Sequence, residues 1–235
     1  MKDFEPTALR HRHLSRRHTL ALSAGLAVTA AGLCWGLTAP AVAQKRAAGR
    51  AEIPIDELMQ PGPLPELVLG KDDAPVTVVE YASMTCSHCA NFHTKVFPVI
   101  KEKYIDSGKV RFIMREFPLD KLAVAASMLA RCAGGDKTFP LISALFAKQE
   151  EWAFVRGNPV PELFKIAKQA GFTQESFDKC LTDQKLMDDI VKVRSRAADS
   201  FGVGSTPTFF INGKRMTGAP TIEEFDKAFS ALLKS

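Results

Sequence analysis

The sequence predicts an α/β fold with an inserted all-helical domain, and three observations predict it. Two β-branched runs, Val76-Thr77-Val78-Val79-Glu80-Tyr81 and Val110-Arg111-Phe112-Ile113-Met114-Arg115, flank a helical stretch over residues 90–104. That is the strand–helix–strand order of a βαβ unit, so the two strands are expected to be parallel neighbours. From Asp120, about 80 residues then carry helical spacing with no strand-like alternation, too many for a simple crossover. Sheet character returns in Pro207-Thr208-Phe209-Phe210-Ile211, followed by Asn212-Gly213, a strong two-residue hairpin signal.

The elements follow in order. Residues 1–43 read as a removable export signal: a basic region ends at Arg16-Arg17, an apolar run spans Leu20–Leu37, and Ala41-Val42-Ala43 is a small-x-small cleavage pattern before Gln44. An uncleaved anchor is the competing reading, since the run nearly spans a bilayer; the cleavage pattern favours removal. Ser15-Arg16-Arg17 also resembles a twin-arginine signal, and the Ala- and Gly-rich run is weakly apolar in keeping with it. Removal after Ala43 takes the net charge from +5 to 26 basic against 24 acidic residues. That excludes a strong field for nucleic acid and a polybasic membrane patch. Residues 44–63 mix basic, Ala and Pro residues and read as a tether, with one short helix at Ile55–Met59.

The first half of the sheet is expected within residues 64–118. Glu66–Leu69 suits a short strand ended by Gly70 and the turn-like Lys71-Asp72-Asp73, and Pro98 is expected to kink the helix over residues 90–104. The helical insertion is expected over residues 119–200, as Leu122–Cys132, Pro140–Gln149, Pro161–Ala170, Glu175–Leu181 and Leu186–Ala198, with glycines after the first and third. Residues 201–235 complete the sheet with the hairpin and close on Thr221–Leu233, where Ile222, Phe225, Ala228, Phe229 and Leu232 share one helical face.

The chemistry centres on Cys86-Ser87-His88-Cys89, which follows the first β-branched strand closely. A cysteine at a helix N-terminus meets free backbone N–H donors and the positive dipole end, both of which stabilise a thiolate. Cys89, one turn on, can close a disulfide with it, and His88 between them can add a donor or a positive charge. Zinc is the sharpest alternative, because Cys86, Cys89 and His93 offer three ligands; no obvious fourth stands nearby, and His93 reads as a partly exposed helix residue. A purely structural bridge gains little from so small a ring. Glu80 lies in an apolar strand and is either edge-facing and solvated, or buried and able to exchange a proton with Cys89.

Cys34 leaves with the export signal, so Cys86, Cys89, Cys132 and Cys180 remain, an even number in an exported chain. Cys132 and Cys180 stand 48 positions apart in the helical segment. They are either two core thiols or, as an oxidising compartment favours, a disulfide contributing about 4 kcal/mol by loop closure. Thr206-Pro207 precedes a strand, where proline is tolerated at the start or edge.

VVEYASMTCSHCANFH, the helical insertion and FGVGSTPTFFING, in that order, resemble the DsbA family of periplasmic thiol–disulfide oxidoreductases, which has a thioredoxin-like fold with a helical insertion. The resemblance runs from Leu64 to the C-terminus. It implies that Cys86 is the exposed nucleophile, Cys89 its buried partner, His88 the dipeptide histidine that favours the reduced thiolate, and Glu80 the buried acid of the preceding strand. Thr206 and Pro207 would form a cis-proline loop that presents backbone groups to a substrate chain. Cys132 and Cys180 resemble the second disulfide of some bacterial members. Ser87 departs from the family's frequent proline. The implied function is oxidation of reduced or unfolded exported proteins in the periplasm by a monomer. Its redox group is the Cys86–Cys89 disulfide itself, with no bound cofactor and no metal, and a membrane quinone-linked protein would reoxidise it. The alternatives are an isomerase or reductase using the same cysteines and a metal-binding or metal-delivery protein using Cys86, Cys89 and His93.

Overall fold

A computed structural model of the chain describes residues 49–234. The expected export signal, with Cys34, and residues 44–48 of the expected tether lie outside the described residues.

Five strands form one sheet in the order β1-β3-β2-β4-β5. They are β1 (Leu67–Leu69), β2 (Val76–Ala82), β3 (Val110–Glu116), β4 (Thr208–Ile211) and β5 (Lys214–Thr217). β2 and β3 are parallel, in register from Val76 opposite Val110 to Ala82 opposite Glu116, as a βαβ unit requires. β4 pairs antiparallel with the other edge of β2, and β5 returns on β4 through Asn212 and Gly213, both at positive φ. β1 pairs antiparallel with β3. Side chains alternate along β2: Val78 and Ala82 enter the large core, whereas Val79 and Tyr81 enter a second cluster on the opposite face.

The crossover from β2 to β3 is α2 (Ser87–Asn91), a π-helical turn Phe92–Val96, α3 (Phe97–Ile100) and a second π-helical turn Lys101–Ile105. The distortion expected at Pro98 is taken up one turn earlier. Proline has no N–H for the Thr94 carbonyl and its ring crowds it, and the wider turn opens the ladder there. Both Phe92 and His93 are buried in that turn.

The insertion comprises α4 (Lys121–Ala133), α5 (Thr138–Ala147), α6 (Gln149–Trp152), α7 (Val160–Gln169), α8 (Gln174–Leu181) and α9 (Gln184–Phe201). Its helices start where their caps place them. The side chains of Asp120 and Asp183 accept the N–H of Ala123 and Leu186, and Thr173 forms a capping box with Ser176. What the sequence presents as one helix over residues 140–149 is two, broken at Lys148. The insertion has no separate interior: Leu145, Trp152 and Phe177 belong to the same buried cluster as Phe112 and Phe209 of the sheet. α9 is longer than expected, and Ala197 and Phe201 pack on Val79, Tyr81 and Phe210. The chain closes with α10 (Ile222–Leu233), whose Phe225 and Phe229 are fully buried against the other face. Cys132 of α4 and Cys180 of α8 are joined, with Cα atoms 6.2 Å apart.

Residues 49–63 are not a tether. Their short helix is present as α1 (Ile55–Leu58), but Ile53 and Leu58 are fully buried. The Ile53 N–H donates to the Gly213 carbonyl at 2.8 Å, the Arg215 N–H to Ala51 at 2.8 Å, and the Arg115 and Arg196 guanidinium groups to the carbonyls of Leu58 and Gln60. Composition concealed this because the two apolar anchors are isolated among polar and proline residues, while their partners lie far along the chain.

Two outcomes are expected. A Cβ at Gly213 would stand 2.1 Å from the Ile53 carbonyl, and φ there is +90°. Gly213→Ala therefore lowers stability by more than about 1 kcal/mol, read as a lower urea midpoint. Replacing Cys132 and Cys180 together by serine lowers the unfolding free energy by about 4 kcal/mol, because a long loop is released in the unfolded chain; calorimetry of the double variant checks it.

Candidate active site

β2 ends at Ala82, and after three intervening residues Cys86 caps the N-terminus of α2. Cys86 is the N-cap, in extended conformation (φ −84°, ψ 119°), so its side chain lies over the first turn. The turn that delivers it is held by its own polar residues. The Cys86 N–H donates to the Ser83 carbonyl at 3.1 Å. The Ser83 hydroxyl accepts the N–H groups of Thr85 and Leu119, and the Thr85 hydroxyl donates to Asp120 at 2.6 Å. The second Asp120 oxygen caps α4, so one carboxylate ties the cysteine loop to the start of the insertion. Gln149 of α6 also reaches the same loop and donates to the carbonyls of Met84 and Cys86.

Both cysteines are reduced in this structure. Cys86 retains 9% exposure and Cys89 none, so only Cys86 can be reached from solvent. The Cys86 sulfur lies 3.3 Å from the Thr206 carbonyl, to which the thiol donates in its protonated form. Thr206 and Pro207 are joined by a cis peptide bond immediately before β4. Because β4 neighbours β2, this loop faces the end of β2 although it lies 120 positions away. Ser87 and His88 are both exposed.

The two thiols are driven in opposite directions. A hydrogen bond from the Cys89 thiol is the largest cause lowering the Cys86 pKa to about 5. The Thr206 side chain and the N–H groups of Cys89 and His88 act in the same direction, against the opposing effect of burial. His88 therefore acts on Cys86 through its backbone. Burial, first, pushes the Cys89 thiol well above its ordinary value, and its bond to Cys86 and the charge of Glu80 add to that. At neutral pH the pair is a Cys86 thiolate accepting a proton bond from a neutral Cys89.

Glu80 is fully buried, on the same face of β2 as Val78 and Ala82. Its Oε2 lies 2.8 Å from Nε2 of His93, whose side chain is also almost completely enclosed. The His93 ring stacks on Phe146 of α5 at 4.3 Å and touches Phe92 and Phe97. His93 is thus not the partly exposed helix residue that composition suggests. It is committed to Glu80 rather than to the cysteines, and among the described residues no group of three His, Cys, Asp or Glu side chains could hold a metal ion. A signal for its burial exists: Cys89 and His93 are four apart on one helix and share a face. No comparable signal marks Gln149, one glutamine beside two glutamates.

A family model described as thioredoxin matches residues 64–231. A Rickettsia bellii protein named as a protein-disulfide oxidoreductase is 37% identical over 148 residues, covering 63% of this chain and 57% of that protein. A Rickettsia conorii protein of the same name is 34% identical over 171 residues, covering 72% of this chain and 61% of its own length. The chain therefore spans about three fifths of these curated relatives. The crystal structure of α-DsbA1 from Wolbachia pipientis superposes with a TM-score of 0.69 at 35% identity, over 77% of this chain and 98% of that one.

The lowered pKa of Cys86 has a signed consequence for the reduced protein. Its thiolate stabilises the fold fully above the ordinary thiol range, and that contribution is lost as pH falls through about 5. The melting temperature of the reduced form, relative to the disulfide form, is expected to rise from pH 4 to pH 8. Thiolate absorbance at 240 nm should show a midpoint near 5; a midpoint above 8 would contradict the site's geometry.

Proposed function

The chain belongs to the thioredoxin family, on its DsbA branch, and from that premise we propose that it is an exported thiol–disulfide oxidoreductase that introduces disulfides into other exported proteins through Cys86 and Cys89. The observation that carries this reading is the placement of the two thiols: Cys86 caps a helix N-terminus with a small opening to solvent and its sulfur 3.3 Å from the Thr206 carbonyl, while Cys89 is fully buried one turn on.

In the oxidised protein the Cys86–Cys89 disulfide is the electrophile. A substrate thiolate attacks Cys86, the accessible sulfur, forming a substrate–Cys86 disulfide and breaking the bond to Cys89. Cys89 leaves as a thiolate, which its burial disfavours, and it takes up a proton; the Glu80–His93 pair beneath it is the candidate proton source. A second substrate thiolate then attacks the substrate's own sulfur in the mixed disulfide. Cys86 departs as the thiolate that the helix N-terminus and the Cys89 thiol stabilise. The substrate has lost two electrons and gained a disulfide, and the protein has become a dithiol. A stabilised leaving thiolate favours this direction over reduction of the substrate.

The Thr206–Pro207 loop beside Cys86 would receive the substrate backbone on either side of the attacked cysteine. No bound cofactor enters the cycle, because the disulfide carries the electrons. Reoxidation by a membrane quinone-linked partner, a periplasmic location after removal of residues 1–43, and action as a monomer complete the proposal. Among the described residues no helix is long and apolar enough to cross a membrane.

Purified protein should oxidise a reduced, unfolded test protein, and Cys86→Ser should reduce that rate to the level of buffer alone. Retention of the wild-type rate by that variant would refute the reading. The equilibrium potential in a glutathione buffer separates the alternatives. A value near about −120 mV marks a strong DsbA-type oxidant, and one near about −270 mV marks a thioredoxin-like reductase.

A further inference from the structure

Gln149, like Asp120, reaches the cysteine loop from the insertion, and it does so from a buried position, with 3% exposure. Its amide nitrogen lies 2.7 Å from the Met84 carbonyl and 3.1 Å from the Cys86 carbonyl. Both partners are acceptors, so the nitrogen and not the oxygen of the amide must face them, and both of its hydrogens are used. The Cys86 carbonyl also accepts the first intrahelical bond of α2, from the Ala90 N–H at 3.0 Å. One oxygen is therefore shared between the helix that stabilises the thiolate and the domain that covers it. The platform behind Gln149 is firm: its near neighbour Trp152 is fully buried and donates its indole N–H to the Leu145 carbonyl.

We propose that Gln149 is a positioning residue for the redox couple, the point at which the helical insertion holds Cys86 in the geometry its thiolate requires. Two effects act together. The amide fixes the orientation of the N-cap peptide, and with it the aim of the His88 and Cys89 N–H groups at the Cys86 sulfur. It also supplies the Met84 and Cys86 carbonyls with a buried donor beside the loop that carries the anion. The insertion thereby acts on the chemistry directly, through one side chain, and does more than cover the sheet. The inference rests on Cys86 and Cys89 being the working couple.

Gln149→Met keeps the length and packing of the side chain and removes both donors; Gln149→Glu replaces the donors by acceptors. In each, the Cys86 thiolate midpoint should rise by about one pH unit. The glutathione equilibrium constant should shift about tenfold towards the oxidised protein, the factor that one unit represents. The reduced form should lose more melting temperature than the disulfide form. Equal losses in both forms, with midpoint and equilibrium constant within about twofold of wild type, would reduce Gln149 to a packing residue and overturn the proposal. Wild-type protein offers a test that needs no variant to fold: the Gln149 side-chain amide resonances should titrate with the Cys86 midpoint, and a flat profile overturns the proposal. A wild-type couple that fails to exchange with glutathione at all overturns the disulfide reading as well, which distinguishes the two failures.

Discussion

Strand β2 is paired along both edges, with β3 on one side and β4 on the other, and all its side chains except Thr77 are buried. Everything functional hangs from that constraint. A strand covered on both faces must alternate its side chains between two cores, and this puts Glu80 on the same face as the crossover helix, beneath the cysteines. Its carboxyl end delivers Cys86 to the first turn of α2, where unpaired N–H groups converge. Pairing with β4 brings the residues just before that strand, Thr206 and Pro207, to the same end of the sheet. Displace β2 by one residue and the acid, the nucleophile and the cis-proline loop no longer coincide.

The site then works by treating two similar thiols differently. Cys86 keeps a small opening to solvent and collects donors, including the S–H of its partner, so it ionises readily. Cys89, one turn deeper, meets apolar walls and the Glu80 charge, so it stays protonated. Neither property belongs to the cysteine itself. Beneath the couple, Glu80 and His93 are enclosed together and each gives the other a buried polar partner.

The insertion shares the sheet's interior and grips the cysteine loop at Asp120 and Gln149, so its removal would open the core and release the loop together. Its helices were largely legible, since their starts are written as Asp120, Thr173 and Asp183 at capping positions. The break at Lys148 was not, because no glycine or proline marks it; there the Leu145 carbonyl accepts the Trp152 indole N–H. The docked segment around Ile53 was missed for a related reason: its partners, Gly213 and Arg215, lie far away in sequence.

What the sequence by itself determined was local. β-branched runs, the Asn212-Gly213 turn, the caps and the spacing of Cys86 and Cys89 are written in neighbouring residues, because strands, turns and first helical turns are short-range structures. The tertiary structure decided which groups meet: the Cys86 sulfur against Thr206, Glu80 against His93, Gln149 against the cysteine loop, and Cys132 against Cys180. Those contacts join segments up to 120 positions apart. They set burial and donor count, and hence which thiol ionises; pKa values follow the surroundings that folding assembles, and no local residue pattern encodes them.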